Sequence, residues 1–335
     1  MRVEPLGGIA EVRATWSELA QAAENPFLTP EWCEAWLEHI GGGFTLRLFG
    51  GFREDAGLVA IVPLVLVQGR YVRKARFVGF GPSNELGPVA RPADAEDAAE
   101  LLKHALAETR REWDAFLGEY LPGDGWARRL GGMLVARTPS PVVRGSWSSW
   151  DDYLASRSSG FRQELRRKER RLHERGLGYH RVADVSQLGQ ALDVLFGLHR
   201  ARWGEHASRW FAGREAFQRA FAHAALERGW LRLSWLELDG RPVAAYSGFR
   251  LGGIEWSYQF GRDPAEEGSS VGLLIAAHAV RAALEDGASE FRLGPGDQAY
   301  KLRFATEDPV LETVGLAHGL RGRASLLAAR RRGGP

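Results

Sequence analysis

The chain has 335 residues, of which 44% are hydrophobic and 26% are charged. That length fits two domains of ordinary size, and the composition excludes a disordered, collagen-like or coiled-coil protein. The formal net charge of +2 excludes a strong electrostatic field that would attract polyanions to the whole protein. The single cysteine, Cys33, excludes an internal disulfide and a cysteine-based zinc site. Only four of the 44 basic residues are lysines: Lys74, Lys103, Lys168 and Lys301.

The N-terminal sequence predicts a cytoplasmic protein, because it lacks the apolar core and the small-residue cleavage site of a signal peptide. The longest apolar stretch, residues 271–284, is interrupted by His278 and Arg281. It is shorter than the roughly 20 residues that a membrane-spanning helix needs. We therefore expect no membrane span.

Hydrophobic periodicity in the first half predicts helices and strands around one core. Thr29 is a suitable N-cap for a helix that begins at Pro30, and the glycines from Gly41 end that helix. The predicted helices are residues 16–23, 30–40 and 94–111, and the predicted strands are residues 44–52, 57–67, 76–80 and 112–117. Residues 137–149 are rich in proline, glycine and serine, so we place a domain boundary there and expect domains 1–145 and 146–335.

The second half begins with a basic helix that Gly176 ends. Asp239-Gly240 predicts a tight turn between two strands of an antiparallel sheet. After the basic helix we expect helices at 186–202, 214–228, 271–286 and 297–304, and strands at 177–182, 230–239, 241–251, 253–261, 290–293 and 310–317. A basic segment, residues 321–332, is predicted as a last helix. Both halves share the order helix, strands, helix, strand, which fits two related α/β domains.

Charge is divided unevenly between the two halves. Residues 1–145 hold 16 basic and 19 acidic residues, whereas residues 146–335 hold 28 and 23. The second half is therefore the expected host of a polyanionic ligand.

A glycine- and serine-rich loop leads into the helix at 271–286. Its residues are Gly268, Ser269, Ser270, Val271 and Gly272. Backbone N–H groups at such a helix start bind phosphate, and glycine allows a ligand to approach closely. The alternative is an ordinary capped helix start, with Ser269 or Ser270 as the N-cap.

The segment 291–304 holds a second glycine pattern. Gly294, Gly296 and Ala299 match the dinucleotide-binding fingerprint, but the preceding strands form hairpins and too little chain follows for a nucleotide-binding domain. We therefore expect a tight turn, with Asp297 as the N-cap of the short helix that carries Tyr300 and Lys301. An exposed tyrosine and a solvated lysine are the alternative for the last two.

The basic helix near residues 161–175 carries seven cations. The nine histidines of the chain show no metal-ligand spacing. The cations are Arg162, Arg166, Arg167, Lys168, Arg170, Arg171 and Arg175. They form either a solvated face or a face that contacts phosphates, to which Arg202 would add. Trp203 is a candidate to stack on a base or a sugar, with burial in the core as the alternative.

Several segments together resemble the GNAT acyltransferases, and in particular the branch of the CelD/BcsL-type proteins and the FemAB peptidyltransferases. The basic helix resembles the start of that branch's second domain. The most specific likeness is the closing motif Gly296-Asp-Gln-Ala-Tyr300-Lys301-Leu-Arg-Phe304. Other similar segments are Leu198-His-Arg-Ala-Arg202-Trp203, Gly240-Arg-Pro-Val-Ala244, Ser269-Ser-Val-Gly272-Leu-Leu, Asn25-Pro-Phe-Leu-Thr-Pro-Glu-Trp and Leu58-Val-Ala-Ile-Val-Pro-Leu.

The resemblance implies two tandem GNAT-like domains, each a mixed, mostly antiparallel sheet flanked by helices. It also implies an N-acyltransferase with acyl-CoA as donor, held in a strand splay and at residues 268–272. In the FemAB proteins the donor is an aminoacyl-tRNA, which makes tRNA the alternative partner. A third hypothesis is a non-catalytic protein that binds a polyanion or a carbohydrate.

The chemistry of acyl transfer assigns roles to the candidate residues. An amine must lose a proton and the leaving group must gain one. By resemblance, Tyr300 protonates the leaving group, and Lys301 stabilises negative charge, with Asp297 beside them. The candidate substrate-binding residues are Glu255, Tyr258, Arg202 and Trp203. For Glu255 and Tyr258 the alternative is an exposed strand face. The expected acceptor is an amine of a small molecule, a sugar or a precursor of the cell envelope or of a secondary metabolite.

Overall fold

A computed structural model describes residues 1–123, 125–204 and 214–333. The helices, in chain order, are α1 Ile9–Ala22, α2 Pro30–His39, α3 Ala95–Glu108, α4 Trp126–Arg129, α5 Trp150–Ala155, α6 Ser159–His173, α7 Val185–Trp203, α8 Glu215–Glu227, α9 Val271–Glu285, α10 Ala299–Phe304 and α11 Gly319–Arg331. The strands are β1 Arg2–Pro5, β2 Thr45–Arg53, β3 Gly57–Gln68, β4 Arg73–Phe77, β5 Val89–Ala90, β6 Ala115–Pro122, β7 Met133–Pro139, β8 Val142–Arg144, β9 Gly178–Arg181, β10 Leu231–Leu238, β11 Arg241–Leu251, β12 Ile254–Arg262, β13 Glu290–Arg292 and β14 Val310–Ala317.

The chain divides into two compact units, one formed by residues 1–140 and 309–335 and the other by residues 141–308. The first unit holds a sheet in the order β1-β2-β3-β4-β6-β14-β7, with β5 paired to β3. Its α2 begins as predicted, because Thr29 Oγ1 accepts a hydrogen bond from Trp32 N and Pro30 occupies the first helical position.

The second unit holds a sheet in the order β8-β13-β12-β11-β10-β9. Each unit contains one parallel pair, β4 with β6 and β12 with β13, and the other pairs are antiparallel. In both units three antiparallel strands are followed by a helix that crosses to the parallel partner, α3 in the first and α9 in the second. The predicted fold class, α/β with two related domains, is confirmed.

The extent of the second domain differs from the predicted 146–335. The last segment belongs to the first unit because β14 pairs with β6 and β7, and because Leu326 and Ala329 of α11 pack beside Val135. β8 lies inside the segment predicted as a linker and pairs with β13. The hydrophobic pattern of a strand does not identify the sheet that the strand joins.

Several element bounds also differ from the predictions. The strand predicted at 112–117 is β6, which begins three residues later and runs to Pro122. β1 and β7 were not predicted. Asp297 does not cap α10, because the helix begins at Ala299 with Gln298 as the N-cap residue and without a side-chain cap.

The contact of α11 with the first sheet gives a stability prediction. A Cβ on Gly322 would lie 2.0 Å from the carbonyl oxygen of Asp114. We expect Gly322→Ala to destabilise the first unit by about 1–3 kcal/mol, because the helix must move away from the sheet. Hydrogen exchange at β6 and β14, followed by mass spectrometry, should become faster.

Gly189→Ala in α7 is the matched control, since nothing lies within 4 Å of the added methyl group. This substitution should stabilise α7 by about 0.5–1 kcal/mol. Unchanged exchange at β6 and β14 in the Gly322 variant would contradict the packing described for α11.

Candidate active site

A cleft of about 220 Å³ opens in the second unit where β12 ends and α9 begins. The sequence between them forms a 3-10 turn, Pro264–Ser269, which Asp263 starts by accepting a hydrogen bond from Ala265 N at 2.9 Å. The residues that line the cleft are Arg202, Phe260, Gly261, Arg262, Glu266, Glu267, Ser270, Val271, Gly272, Leu273 and Tyr300.

The cleft lies beside an early end of strand pairing. β12 and β13 pair in parallel over three residues only, from Ile254 with Glu290 to Trp256 with Arg292. β12 continues to Arg262, whereas the chain after β13 turns away at Gly294 and Gly296, which have φ values of 80° and 105°. No strand of the described chain pairs with residues 257–262 on that side, so their backbone groups are available to an extended ligand.

A β-bulge bends β12 at the same level. Ser247 of β11 lies opposite Gln259, and Gly248 lies opposite Ser257, which makes Tyr258 the extra residue. A bulge bends its strand and increases the local twist. The sequence alone gave no indication of this irregularity.

Serines of the candidate donor loop, residues 263–272, do not cap α9. Ser270 has a φ of 57° and makes no side-chain cap, while its hydroxyl accepts a hydrogen bond from Lys168 Nζ. Ser269 Oγ donates to Glu266 at 2.6 Å. The alternative interpretation of an ordinary capped helix start is therefore wrong, and the first-turn N–H groups of α9 have no side-chain cap to bind.

Glycines give this loop close access to a ligand. Nothing lies within 4 Å of a Cβ built on Gly268, so the backbone there is open. A Cβ on Gly272 would lie 3.1 Å from Cδ of Arg262, so the arginine side chain passes directly over the start of α9.

Basic residues surround the candidate donor loop. Arg175 binds both carboxylate oxygens of Glu266 at 2.8 and 2.9 Å, and these bonds lower the pKa of Glu266 to about 2. Arg262 pairs with Glu267 at 3.0 Å. Glu266 and Glu267 are thus balanced by arginines, and Lys168 and Arg202 add positive charge. Of these, only Arg202 was predicted as a site residue.

Tyr300 is the predicted catalytic residue that reaches the cleft. Its ring meets the ring of Phe260 edge to face, with centroids 6.4 Å apart. Burial raises the pKa of Tyr300 to about 12, and Arg202 opposes this rise. The phenol therefore keeps its proton at neutral pH, as a proton donor must.

Lys301 and Asp297 do not line the cleft. Lys301 is buried, and its Nζ donates to the carbonyl oxygens of Gly294 and Pro295 at 3.0 and 2.7 Å. Burial lowers its pKa to about 8. The lysine thus holds the turn that precedes Tyr300, and Asp297 lies exposed on that turn.

Glu255 lies in the core and not on an exposed strand face. It occupies the paired part of β12, accepts a hydrogen bond from Tyr246 Oη at 3.0 Å and lies 3.8 Å from Arg232 Nε. Burial raises its pKa to about 7, against the opposing effect of Arg232. The structure does not bring Glu255 to the cleft.

Tyr258 and Trp203 lie away from the cleft lining. The ring of Tyr258 packs against Phe249 with centroids 5.4 Å apart, and burial raises the pKa of its phenol. Trp203 is exposed at the end of α7, with the guanidinium of Arg202 4.6 Å from its ring centroid. Neither the exposed strand face, which was the alternative for Tyr258, nor the buried alternative for Trp203 describes these side chains.

Gln259 is a residue that the sequence did not single out. The residue is 6% exposed, and neither the nitrogen nor the oxygen of its side-chain amide has a hydrogen-bond partner among the described residues. Buried amides are normally paired, so this group next to the bulge is suited to a polar ligand. A lone glutamine in a strand carries no sequence signal, because its importance depends on the bulge.

A larger groove, of about 320 Å³, lies between α5, α6 and α9. Its charged groups balance one another: Arg166 pairs with Asp151, and Arg281 with Glu285. In the described part of the chain, no cluster of histidine, cysteine and carboxylate side chains is suited to hold a metal ion. The donor-loop cleft therefore remains the better candidate for group-transfer chemistry.

Comparison with protein families identifies the second unit. Residues 159–302 match the family described as an acetyltransferase (GNAT) domain. These residues form a GNAT domain. The match covers the basic helix, the candidate donor loop and Tyr300, and it confirms the predicted class, an acyltransferase.

Solved structures resemble nearly the whole chain in fold. FemX superposes with a TM-score of 0.66 at 10% identity, covering 98% of this chain and 100% of its own. L-PGS from Bacillus licheniformis superposes with a TM-score of 0.56 at 15% identity, covering 92% of this chain and 97% of its own. A tandem GNAT protein from the clavulanic acid biosynthesis pathway superposes with a TM-score of 0.50 at 13% identity, covering 95% of this chain and 99% of its own. These likenesses support two GNAT-like units.

A comparison with curated proteins found no significant match. Within the described ranges, none of the helices has both the length and the apolar character needed to cross a bilayer.

The raised pKa of Glu255 gives a prediction about the GNAT domain's stability. The folded state holds this proton more tightly than the unfolded chain, in which the pKa is near 4.5. The cost of the buried charge is therefore fully present above pH 7 and decreases as the pH falls towards 4.5. Glu255→Gln should flatten the pH dependence of the unfolding free energy in this window.

Urea unfolding at a series of pH values measures this effect, with Glu174→Gln, at the exposed residue that follows α6, as the control. Acyl transfer should be unaffected, because Glu255 lies outside the cleft. An unchanged pH profile, or a large loss of turnover, would contradict the placement of Glu255.

Proposed function

We propose that the chain is an N-acyltransferase that moves an acyl group from acyl-CoA to an amine, with the donor in the cleft between β12 and α9. The observation that carries this proposal is the opening between two parallel strands, with a helix start and a protonated tyrosine at its edge. GNAT enzymes, which the sequence resembles, hold their donor in such an opening.

The donor would bind through backbone and charged groups. The free edge of residues 257–262 offers N–H and C=O groups to the amides of the pantetheine arm. The start of α9 and the side chains of Lys168 and Arg262 would bind the pyrophosphate. A phosphate can displace Glu267 from Arg262, because the carboxylate is mostly exposed.

The reaction needs two proton movements. The acceptor amine loses a proton and attacks the thioester carbonyl carbon, the carbon–sulfur bond breaks, and the leaving thiolate takes a proton. Tyr300 is the proposed donor of that proton, with Arg202 close enough to stabilise the phenolate that remains. Gln259 is the proposed contact for a polar group of the acceptor, because its buried amide has both a donor and an acceptor to offer.

We propose an amine on a small molecule, a sugar, or a precursor of the cell envelope or of a secondary metabolite as the acceptor. The cleft is suited to small groups, and the charged side chains in its lining suit a charged or hydrogen-bonding molecule. We further propose that the protein acts in the cytoplasm, where acyl-CoA is available.

An aminoacyl-tRNA is the second candidate donor, and the position of α6 favours it. Lys168 of this helix and Arg175, which follows the end of the helix, contact the candidate donor loop. Arg171 lies one turn after Lys168 on the same helix face, and Arg167, Arg170 and Arg171 are exposed without an ion pair to a described residue. A nucleic acid whose end enters the cleft would meet this row of cations.

Thermal unfolding with CoA, acetyl-CoA and tRNA tests the donor. A ligand at 100 times its dissociation constant stabilises the folded state by about 2.7 kcal/mol. We expect stabilisation by acetyl-CoA that Arg262→Gln reduces and that Arg219→Gln, on the far helix α8, preserves. A salt-sensitive effect of tRNA alone would favour the FemAB-like donor, and no effect of any of them would favour a binding protein for a polymer or a carbohydrate.

Tyr300→Phe tests the chemistry separately from donor binding. We expect kcat for release of free CoA with a panel of amines to fall roughly a hundredfold, because the leaving thiolate loses its proton donor. Stabilisation by acetyl-CoA should persist, since the ring remains against Phe260. Tyr71→Phe in the first unit is the control, and equal turnover in both variants would remove Tyr300 from the mechanism.

A further inference from the structure

The outer side of α11 in the first unit is strongly cationic, although Asp114 acts electrostatically on Arg321. No acidic residue occurs after Glu312, while five exposed arginines lie on or directly after the helix. These are Arg321, Arg323, Arg330, Arg331 and Arg332. None of them forms an ion pair with a described residue. A surface of this kind attracts a polyanionic partner.

The same side of the helix is also apolar. Leu320 is 85% exposed and Leu327 is 51% exposed; the exposed Ala324 lies between them along the helix, and the exposed Ala328 follows Leu327. The inner side is already used, because Gly322, Leu326 and Ala329 are buried against the sheet. α11 therefore has two apolar faces, of which one packs against the sheet of the first unit and the other carries the exposed leucines.

The turn between β3 and β4 extends this surface. It carries Tyr71, which is 68% exposed and lies next to Arg70, with the guanidinium carbon 5.1 Å from the ring centroid. The turn is close to the start of α11, because Arg73 binds Asp114 and the carbonyl of Asp114 accepts from His318 N at 2.8 Å.

A groove of about 470 Å³ runs along the same helix. Its lining is mainly apolar, with Met133, Leu316, Leu326 and Leu327 as the larger side chains and Arg323 at its edge. Aliphatic groups can enter this space beside a cation that would stay at the surface.

We propose that α11 and the β3–β4 turn bind the surface of a bilayer that contains anionic phospholipid. The arginines would contact lipid phosphates, while Leu320, Leu327 and Tyr71 would enter the boundary between headgroups and acyl chains. A nucleic acid matches the charge only, because its phosphate backbone would leave the two leucines in water. The proposal is independent of the acyl-transfer site in the second unit.

Co-sedimentation of the full chain with vesicles tests this surface. The protein should bind vesicles of phosphatidylcholine mixed with phosphatidylglycerol, more weakly at higher salt, and should bind pure phosphatidylcholine poorly. Arg321→Gln with Arg323→Gln should weaken binding roughly tenfold or more, because each arginine near an anionic membrane contributes appreciably. Leu320→Gln with Leu327→Gln should weaken it by a similar factor.

Matched variants in the second unit serve as controls. Arg167→Gln with Arg170→Gln removes two exposed arginines of α6 that have no ion pair to a described residue, and Val185→Gln with Leu302→Gln removes two exposed apolar side chains. Both should leave vesicle binding near that of the parent. Circular dichroism would establish that every variant is folded.

Two results would overturn the proposal. One is the absence of salt-sensitive binding to anionic vesicles. The other has two parts: replacement of the leucine pair leaves vesicle binding unchanged, and replacement of the arginine pair abolishes binding to a tRNA or a DNA duplex. That result would assign the surface to nucleic acid instead.

Discussion

The candidate active site depends on where strand pairing between β12 and β13 ends. Three paired residues hold the two strands together, and beyond Trp256 the strands separate. Had the pairing continued, the backbone of residues 257–262 would be used within the sheet and no opening would exist. The bulge at Tyr258 and the glycine turn after β13 both contribute to the separation, and Lys301 fixes that turn through its two carbonyl contacts.

The loop that follows β12 is a candidate phosphate-binding site whose own acidic side chains are neutralised by arginines. Its acidic side chains would repel a phosphate, yet Arg175 and Arg262 hold them in ion pairs. The basic helix α6 is thereby part of the site and not merely a solvated surface, since Lys168 contacts Ser270 directly. One helix thus joins the donor loop to a row of exposed arginines.

Much of the fold could be predicted from sequence, because hydrophobic period and turn residues are local signals. The cap at Thr29, the three-stranded meander and the short helix that carries Tyr300 belong to this class. The sheet membership of β14 could not be predicted, since it depends on pairing with strands almost 200 residues earlier. In the candidate site, Tyr300 and the loop of residues 268–272 could be predicted, because each lies in a sequence motif. The burial of Glu255, the structural use of Lys301 and the unpaired amide of Gln259 were not, because each depends on neighbours distant in sequence.

The return of the last segment to the first sheet has a consequence for how the chain folds during synthesis. The second unit is continuous in sequence, so all its strands are available once residue 308 has left the ribosome. The first unit cannot complete its sheet at that time, because β14 inserts between β6 and β7, which must leave space for it or pair transiently with each other. The domain that begins the chain is therefore the last to be finished, contrary to the usual order in which N-terminal domains fold first.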